Sequence, residues 1–287
     1  MMVESVSDFI ENILERVTSE RFLVSYRGHG SVDYKLHPSI FREQSIKKNE
    51  DILLRELIAA HPEDFNGDTS ALEILVRMQH YSLPTRLLDV SLNPLVALYF
   101  SCESVKKRNR INKSGRIFYK TVEMDGHVVI LKVPKRRVKY FDSDTVSCIT
   151  NLARLSDAYK NKLDTDLDQE SFNETTSTKR LLHFIRQEKN AFLSEIKPGD
   201  LDKILLVKPK QNNKRIIAQA GAFFAFGLEE EITEDNDDYI EIERITISGD
   251  AKKNIRIELD KLGINEKTMF PDIERVARYL TGSLPKS

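Results

Sequence analysis

Residues 79–100, QHYSLPTRLLDVSLNPLVALYF, constrain the fold more than any other part of this 287-residue chain. Polar and ionisable side chains stand here beside an apolar strand pattern and an apolar helix pattern, at His80, Tyr81, Arg86, Asp89 and Ser91. An exposed loop does not need so much apolar support, and a core strand does not carry so many charges. The segment therefore predicts a pocket wall, in which a rigid scaffold holds polar groups.

The order of elements predicts an α+β fold. Asn93 and Pro94 predict a helix start, because asparagine is a favoured N-cap and proline is favoured at the first helical position. Ser7 is the expected cap of a first helix over 7–20, and Asp125-Gly126 is the expected turn of a hairpin. Further helices are predicted at 51–60, 70–79 and 178–189, and strands at 22–26, 87–90, 116–122, 127–133, 203–207, 222–226 and 239–247. Strands early and late, with helices between them, argue against a regular βαβ series.

Composition narrows the class of protein. The net charge is −1, so global charge indicates no partner. The N-terminus lacks the pattern of a signal peptide and no apolar run reaches about 18 residues, so we expect a cytoplasmic protein without a membrane span. Cys102 and Cys148 lie in apolar contexts and are expected to be buried free thiols. The six histidines show no metal-ligand spacing, so no metal site is expected.

Arg27 is the first candidate for ligand binding, at the end of the strand predicted over 22–26. An arginine there can make bidentate contacts with a phosphate or bond a ribose hydroxyl. Gly28 and Gly30 would leave room for a ligand to approach the backbone. The structural alternative is an arginine paired with a core carboxylate such as Asp89.

Ser91 and Gln219 are further candidates, each with a structural alternative. The Ser91 hydroxyl precedes a helix N-terminus, where it can either touch a polar ligand or serve as an extra cap. The Gln219 amide can bind a ligand hydroxyl or bond the backbone. Arg86 and Asp89 are expected to pair with each other and to support the pocket wall together with His80.

Two basic stretches flank the predicted hairpin, and folded together they would form one positive surface. Their members with the strongest claim to nucleic-acid phosphates are Lys106, Lys107, Arg108, Arg136 and Arg137. The alternative is a solvated charged face, which is what most charge runs are.

Three stretches resemble one known family. YRGHG (26–30), QHYSLPTRLLDVSLNPLVALYF (79–100) and RIIAQAGAFFAFG (215–227) are similar to the FRG domain, named for Phe-Arg-Gly, with Tyr26 in place of the phenylalanine. LGINEKTMFPDIERVARYL (262–280) fits the usual ending of the family. The resemblance implies a single FRG domain over 1–287, with a core at about 20–133 and 203–283 and a mostly helical insertion at about 135–200.

The family motifs resemble, more distantly, those of ADP-ribosyltransferases. This implies a split, mixed or antiparallel sheet surrounded by helices, with NAD as the substrate. Arg27 would bind the NAD phosphates or the adenosine ribose, Ser91 would position the nicotinamide ribose, and Tyr81 would stack on nicotinamide. Gly28, which belongs to the same Tyr26-Arg27-Gly28 motif, and His29, which follows it, are also expected to contact NAD.

The third motif of those enzymes carries a glutamate, whose best positional match here is Gln219. A glutamine can bond the ribose hydroxyl but cannot act as a general base, so Glu241 or Glu243 is an alternative source of the acid. On this resemblance Arg27 and Gln219 would be the catalytic residues.

The function that this resemblance implies is a toxin-type or antiviral-defence effector. It would transfer ADP-ribose to a macromolecule, with RNA or DNA as the first expectation and protein as the second, and an antitoxin or chaperone is a possible partner. The alternatives are a nucleotide-binding module without catalysis, in a phage-defence or toxin–antitoxin system, and an NAD hydrolase.

Overall fold

A computed structural model of the chain describes residues 2–17, 20–113, 116–233 and 239–282. Within these ranges, ten strands form an eight-stranded sheet and a separate two-stranded ribbon. The strands are β1 (Met2–Val3), β2 (Phe22–His29), β3 (Leu87–Ser91), β4 (Lys106–Lys113), β5 (Arg116–Glu123), β6 (Gly126–Pro134), β7 (Lys139–Tyr140), β8 (Ile204–Lys208), β9 (Gly221–Phe226) and β10 (Glu241–Ile247).

The helices lie between and around these strands. They are α1 (Val6–Arg16), α2 (Gln44–Lys48), α3 (Glu50–Ala60), α4 (Pro62–Phe65), α5 (Ala71–His80), α6 (Pro94–Ser101), α7 (Asp144–Asn151), α8 (Asp157–Lys160), α9 (Gln169–Glu174), α10 (Thr176–Glu188), α11 (Lys214–Ala218), α12 (Lys252–Lys261), α13 (Glu266–Met269) and α14 (Ile273–Gly282). Asn93 caps α6 by accepting from the Leu95 N–H at 2.9 Å, as predicted, whereas α1 is capped by Ser5 and not by Ser7.

The large sheet has the strand order β1-β10-β6-β2-β3-β9-β8-β7. Its pairs are antiparallel except for β1 with β10 and β7 with β8. The mixed α+β prediction, with a mostly antiparallel sheet and helices around it, is confirmed. Residues 135–200 contain α7 to α10, which share their own apolar cluster around Phe172 and Leu181.

A split divides this sheet into two halves. β2 pairs with β6 at eight register positions, but with β3 at one, Tyr26 opposite Ser91. β1, β10, β6 and β2 form one half, and β3, β9, β8 and β7 form the other. Arg27 and Gly28 lie inside β2, so the strand predicted over 22–26 extends three residues further, to His29.

The predicted hairpin at Asp125-Gly126 is wrong. β5 pairs with β4 in the separate ribbon, whereas β6 lies between β2 and β10 in the large sheet. Local turn residues indicate where a chain can reverse, but strand partners are set by contacts distant in sequence. β4 was missed because a run of lysines and arginines lacks the apolar alternation of a half-buried strand.

Gly28 allows α6 to lie directly on β2. Side chains alternate across a strand, so Gly28 faces α6 while Arg27 and His29 face the opposite side. A Cβ at Gly28 would lie 1.9 Å from the Ala97 carbonyl oxygen and 2.6 Å from the Ser101 nitrogen. Helix backbone therefore fills the space that the sequence interpretation reserved for a ligand.

Gly28→Ala is expected to lower the free energy of unfolding, because a backbone carbonyl cannot move aside without shifting the whole of α6. Overpacking of this kind costs about 1–3 kcal/mol, and a rigid neighbour puts this site at the upper end. Gly67→Ala is the matched control, since its Cβ meets no atom within 4 Å. Urea unfolding of both variants checks this; equal midpoints would contradict it.

Candidate functional site

A cleft of about 580 Å³ opens at the split between β2 and β3. Residues 26–29 of β2, Gly30 after it and residues 89–91 of β3 line the cleft, together with the loop over 33–42 and parts of α6 and α11. Because the β2–β3 ladder stops after one pair, the strands diverge and leave room between them. The volume is within the range of sites that hold small molecules.

Arg27 bridges the two halves of the sheet within this cleft. Its Nη1 donates to the Asp89 carbonyl oxygen at 2.5 Å, and its Nε donates to His29 Nε2 at 3.0 Å. In the described part of the chain no group accepts from Nη2, so this end of the guanidinium remains available to a ligand. Burial lowers the pKa of Arg27, the Asp89 charge opposes the effect, and Arg42 adds to it.

Arg27 is hydrogen-bonded to the first of two buried histidines, His29 and His127. His29 Nδ1 lies 3.0 Å from His127 Nε2, and both side chains are at most 5% exposed. Arginine can only donate, so His29 Nε2 must accept and its proton is assigned to Nδ1. His29 then donates to His127, and the chain of hydrogen bonds fixes the Arg27 guanidinium on the cleft side of β2.

Both histidines are neutral at neutral pH. Burial, followed by the charge of Arg27, lowers the pKa of His29 to about 3. Burial, followed by the charge of Arg244, lowers the pKa of His127 to about 4. Sequence reasoning missed His127, because its partnership with His29 depends on the β2–β6 register.

Acid is expected to destabilise the fold well above the pH at which carboxylates protonate. The folded-state pKa values lie below the unfolded value of 6.5, so between about pH 6.5 and 4 the unfolded chain binds more protons and stability falls as pH falls. At pH 5 the loss is roughly 2 kcal/mol for each histidine.

Thermal unfolding at pH 7.5, 6 and 5 measures this loss. His127→Gln retains an acceptor for His29 but does not titrate, so its melting temperature should depend less steeply on pH. His61→Gln is the control, because that ring is exposed. A wild-type melting temperature that does not change between pH 7.5 and 5 would contradict the assignment.

Ser91 joins three elements at the edge of the cleft. Its Oγ donates to the Gln219 carbonyl oxygen at 2.6 Å and accepts from the Asn93 N–H at 3.0 Å. The side chain is buried, and the hydroxyl proton is already bonded. Ser91 therefore fixes β3 against α6 and α11, and it can offer a ligand an acceptor but not a donor.

Gln219 lies at the end of α11 and lines the cleft. Its Nε2 donates to the Met269 carbonyl oxygen at 3.0 Å, so the amide is held by the segment after α12. The next residue, Ala220, has a φ of 45°, which is rare for a residue with a side chain. The Ala220 carbonyl accepts from the Leu92 N–H at 2.9 Å, and this bond holds the strained turn against β3.

Comparison with protein families matches residues 23–110 to the model of the FRG domain. This match covers 88 of the 287 residues. No curated protein and no solved structure matches the chain. The matched residues include β2, β3 and α6, and with them Arg27, Ser91 and the split between the strands. Gln219 lies outside the match.

Tyr81 lies away from the cleft and is not among its lining residues. Its ring is 55% exposed and packs edge-on against His80, which lines a smaller pocket behind Gln219. Tyr81 is therefore not placed to stack on nicotinamide in this cleft, which corrects the expected position of this ring. The aromatic residues that line the cleft are Tyr26, His29, Tyr34, His37 and Phe100.

His80 supports this region through the C-terminal segment. Its Nε2 lies 3.4 Å from Asp272 Oδ1, close to the start of α14. Burial lowers the pKa of His80, and the Asp272 charge opposes the effect.

Arg86 and Asp89 do not pair with each other. Arg86 is buried and donates to both carboxylate oxygens of Glu50, at 2.9 and 2.5 Å. Asp89 is exposed, and its carboxylate accepts from the Gln79 amide. Arg86 thus supports β3 from the core, while Asp89 presents a carboxylate to the cleft.

Sequence reasoning missed three further cations that line the cleft, Lys35, Arg42 and Arg215. Arg42 belongs to an irregular loop, where no periodicity indicates which side chains turn inward. Arg215 lies in the family-like stretch 215–227, four residues before Gln219. This spacing could have indicated that both side chains line one site. The Arg215 guanidinium lies 4.9 Å from the centroid of the Phe270 ring, which holds it beside Gln219.

Glu241 and Glu243 are not at the cleft, which corrects the expectation that one of them supplies the acid. Both lie on β10, which β6 and β2 separate from β3, and Glu243 pairs with Lys132 and Arg16. The carboxylates that line the cleft belong to Asp33, Asp89 and Glu103.

The two basic stretches do not form one surface. Lys106, Lys107 and Arg108 begin the ribbon, whose second strand ends just before β6, whereas Arg136 and Arg137 follow the end of β6. The nine residues of β6 span about 30 Å. The side chains of residues 109–118 lie outside the described ones, and so do residues 234–238 of the acidic stretch.

Cys102 and Cys148 are buried free thiols, as predicted. Burial raises their pKa values to about 11 and about 12. Within the described ranges, no cluster of three or more His, Cys, Asp or Glu side chains could hold a metal ion. Likewise, none of the described helices is long and apolar enough to cross a membrane.

Proposed function

We propose that this protein cleaves NAD and transfers ADP-ribose to a macromolecule, as a toxin-type or antiviral-defence effector. One observation carries the proposal: a split sheet opens into a cleft whose central side chain is an arginine with one N–H₂ group available. Arg42 and Arg215 line the same cleft. A diphosphate between two nucleosides is the type of ligand that such guanidinium groups bind best.

The chemistry requires few protein groups. The bond between nicotinamide and ribose C1′ breaks, and its electron pair leaves with nicotinamide. The acceptor then attacks C1′, forms the new bond and loses a proton. Arg27 would hold the diphosphate, Phe100 or Tyr34 would contact the nicotinamide ring, and orientation in the cleft would supply most of the rate enhancement.

Asp89 is the carboxylate best placed for the cationic ribose. It lies on β3 at the split, its charge acts on Arg27, and the Gln79 amide fixes its orientation. A carboxylate there would stabilise positive charge at C1′ and accept the proton of the acceptor. Gln219 would then orient the ribose, without acid or base chemistry.

A smaller chamber adjoins the cleft and supports a second substrate site. It measures about 180 Å³, and Arg27, Arg42 and Asp89 line both spaces. An acceptor group in this chamber would approach the sugar from the side of Asp89. Water in the same place would give NAD hydrolysis instead.

A nucleotide-binding module without catalysis is the second candidate. The observation that favours it is that the Ser91 hydroxyl and the Gln219 amide are both bonded to backbone carbonyls. Groups used in this way stabilise the site but do not act on a substrate. Binding of NAD without turnover would be its signature.

Purified protein incubated with NAD labelled in the adenylate moiety, together with DNA, RNA or cell lysate, tests the proposal. Transfer would release nicotinamide and leave label on the acceptor, whereas hydrolysis would release nicotinamide alone. Calorimetry with NAD identifies the binding module. Absence of both nicotinamide release and label transfer, over a range of protein concentrations, would reject catalysis.

A further inference from the structure

The ribbon of β4 and β5 is a two-stranded sheet that shares no strand pairing with the large sheet. Its eight register pairs run from Lys106 opposite Glu123 to Lys113 opposite Arg116. Each arm is about 26 Å long. A two-stranded ribbon alone is marginally stable in water, so a partner that covers it would stabilise it.

Charge is strongly segregated between the ribbon and the rest of the chain. Residues 106–123 contain seven lysines and arginines and a single acidic residue, a net charge of +6 in a chain whose net charge is −1. The remainder therefore carries −7. A polyanion would be repelled by the body and attracted to the ribbon, so it would approach the protein with the ribbon first.

The single acidic residue of the ribbon, Glu123, accepts hydrogen bonds at the base of the ribbon. Glu123 accepts from the Val105 N–H at 2.7 Å and from the Ser104 hydroxyl at 2.8 Å. These bonds attach the ribbon to the end of α6. By sequence, the rest of the ribbon contains only cationic and neutral residues.

The described side chains of the ribbon are exposed and suited to a phosphate backbone. The Arg108 guanidinium lies 4.2 Å from the centroid of the Tyr119 ring, which is 57% exposed. Lys107 and Lys120 are exposed on the two strands. Stacking limits the freedom of Arg108, so less entropy is lost when it contacts a phosphate.

We propose that the ribbon docks double-stranded DNA in the major groove. That groove is about 12 Å wide and accommodates a two-stranded ribbon. The A-form RNA duplex has a deep, narrow major groove that does not admit such an element. Single strands have no groove to match the ribbon, and they are expected to bind more weakly.

The inference rests on the proposed function for one point, that bound DNA is the acceptor. The ribbon base adjoins the cleft: Lys107 Nζ lies 3.6 Å from Asp33 Oδ2, and both Asp33 and Glu103 line the cleft. A duplex on the ribbon would bring its nucleotides to the cleft mouth. Binding and transfer are measured separately, so either can fail alone.

The test is fluorescence anisotropy with a labelled 25-base-pair DNA duplex, the matching single strand and an RNA duplex, over a range of salt. The ribbon variant Lys107→Gln/Arg108→Gln/Lys120→Gln should weaken DNA binding at least tenfold. Loss of three phosphate contacts should lower the slope of log K against log salt by about 2–3. Lys135→Gln/Arg136→Gln/Arg137→Gln removes the same charge at the far end of β6 and should bind as the wild type does.

Equal weakening in both variants, or no binding to duplex DNA at low salt, would overturn the inference. Tighter binding of RNA duplex or single strands would overturn the major-groove geometry. If the wild type releases nicotinamide and the ribbon variant binds DNA normally, the inference fails and the proposed function stands. If the ribbon binds DNA but no nicotinamide is released, docking stands and the proposed function fails.

Discussion

Arg27→Ala is expected to weaken NAD binding at least about 100-fold and to remove nicotinamide release. The change deletes a half-buried, positioned guanidinium whose charge-assisted bonds to a phosphate contribute about 1.5–3 kcal/mol each. Two such bonds correspond to about two to four powers of ten in affinity. Arg27→Lys keeps the charge but loses the planar fork, so its affinity should fall between those of wild type and alanine.

Calorimetry with NAD measures the affinities, and nicotinamide release measures the reaction. Arg136→Ala serves as the control, because Arg136 is exposed and lies outside the cleft. Arg27 also bonds Asp89 across the split, so the melting temperature of each variant must be compared at the same time. An Arg27→Ala protein that is folded and binds NAD like the wild type would exclude this cleft as the NAD site.

Glu50→Gln is expected to destabilise the fold by about 3–5 kcal/mol, because it leaves buried cations without a counter-charge. Glu50 is 4% exposed and accepts from Arg86 and, at 2.6 Å, from Lys160 of α8. Arg86 also donates to the carbonyl oxygens of Phe226 and Gly227, at the end of β9. One carboxylate therefore connects α3, β3 and the helical segment over 135–200.

Urea unfolding of Glu50→Gln checks the magnitude. Glu56→Gln is the control, an exposed glutamate on the same helix, and should change stability by less than about 0.5 kcal/mol. If Glu50→Gln lost no more stability than the control, the buried charge network would not support the fold. The ion pairs would then contribute no more than surface pairs do.

Acid should also destabilise the Glu50 network, but at a lower pH than it acts on the buried histidines His29 and His127. Burial by itself raises the pKa of the Glu50 carboxyl, but the charges and hydrogen bonds of Arg86 and Lys160 outweigh it and lower the pKa to about 2. The stability from Glu50 is present above its unfolded pKa of about 4.5 and is lost as pH falls toward 2.

Local rules predicted the elements whose causes are local. Asn93 and Pro94 begin α6 as predicted, because capping and proline preference act within a few residues. The strands over 203–207 and 222–226 were predicted within one residue, because they are short apolar runs between polar segments. Residues 79–100 indeed form a wall of the cleft, with β3 and α6 in the predicted order.

The rest depends on partners that are distant in sequence. Arg86 pairs with Glu50 rather than with the nearby Asp89. Gln219 donates to the carbonyl oxygen of Met269, fifty residues away. His29 meets His127 because of the β2–β6 register. No periodicity in the sequence encodes these choices, so candidate residues were predictable while their partners were not.

The single Tyr26–Ser91 pair has a thermodynamic consequence for any ligand. The central strands lack the ladder bonds that a continuous sheet would have, so the two halves of the sheet are least cooperative where the cleft opens. A small molecule that bonds both β2 and β3 would supply cross-strand contacts in place of the missing ones. Its binding energy would then appear as stability of the folded state, and saturation would raise the melting temperature of the domain.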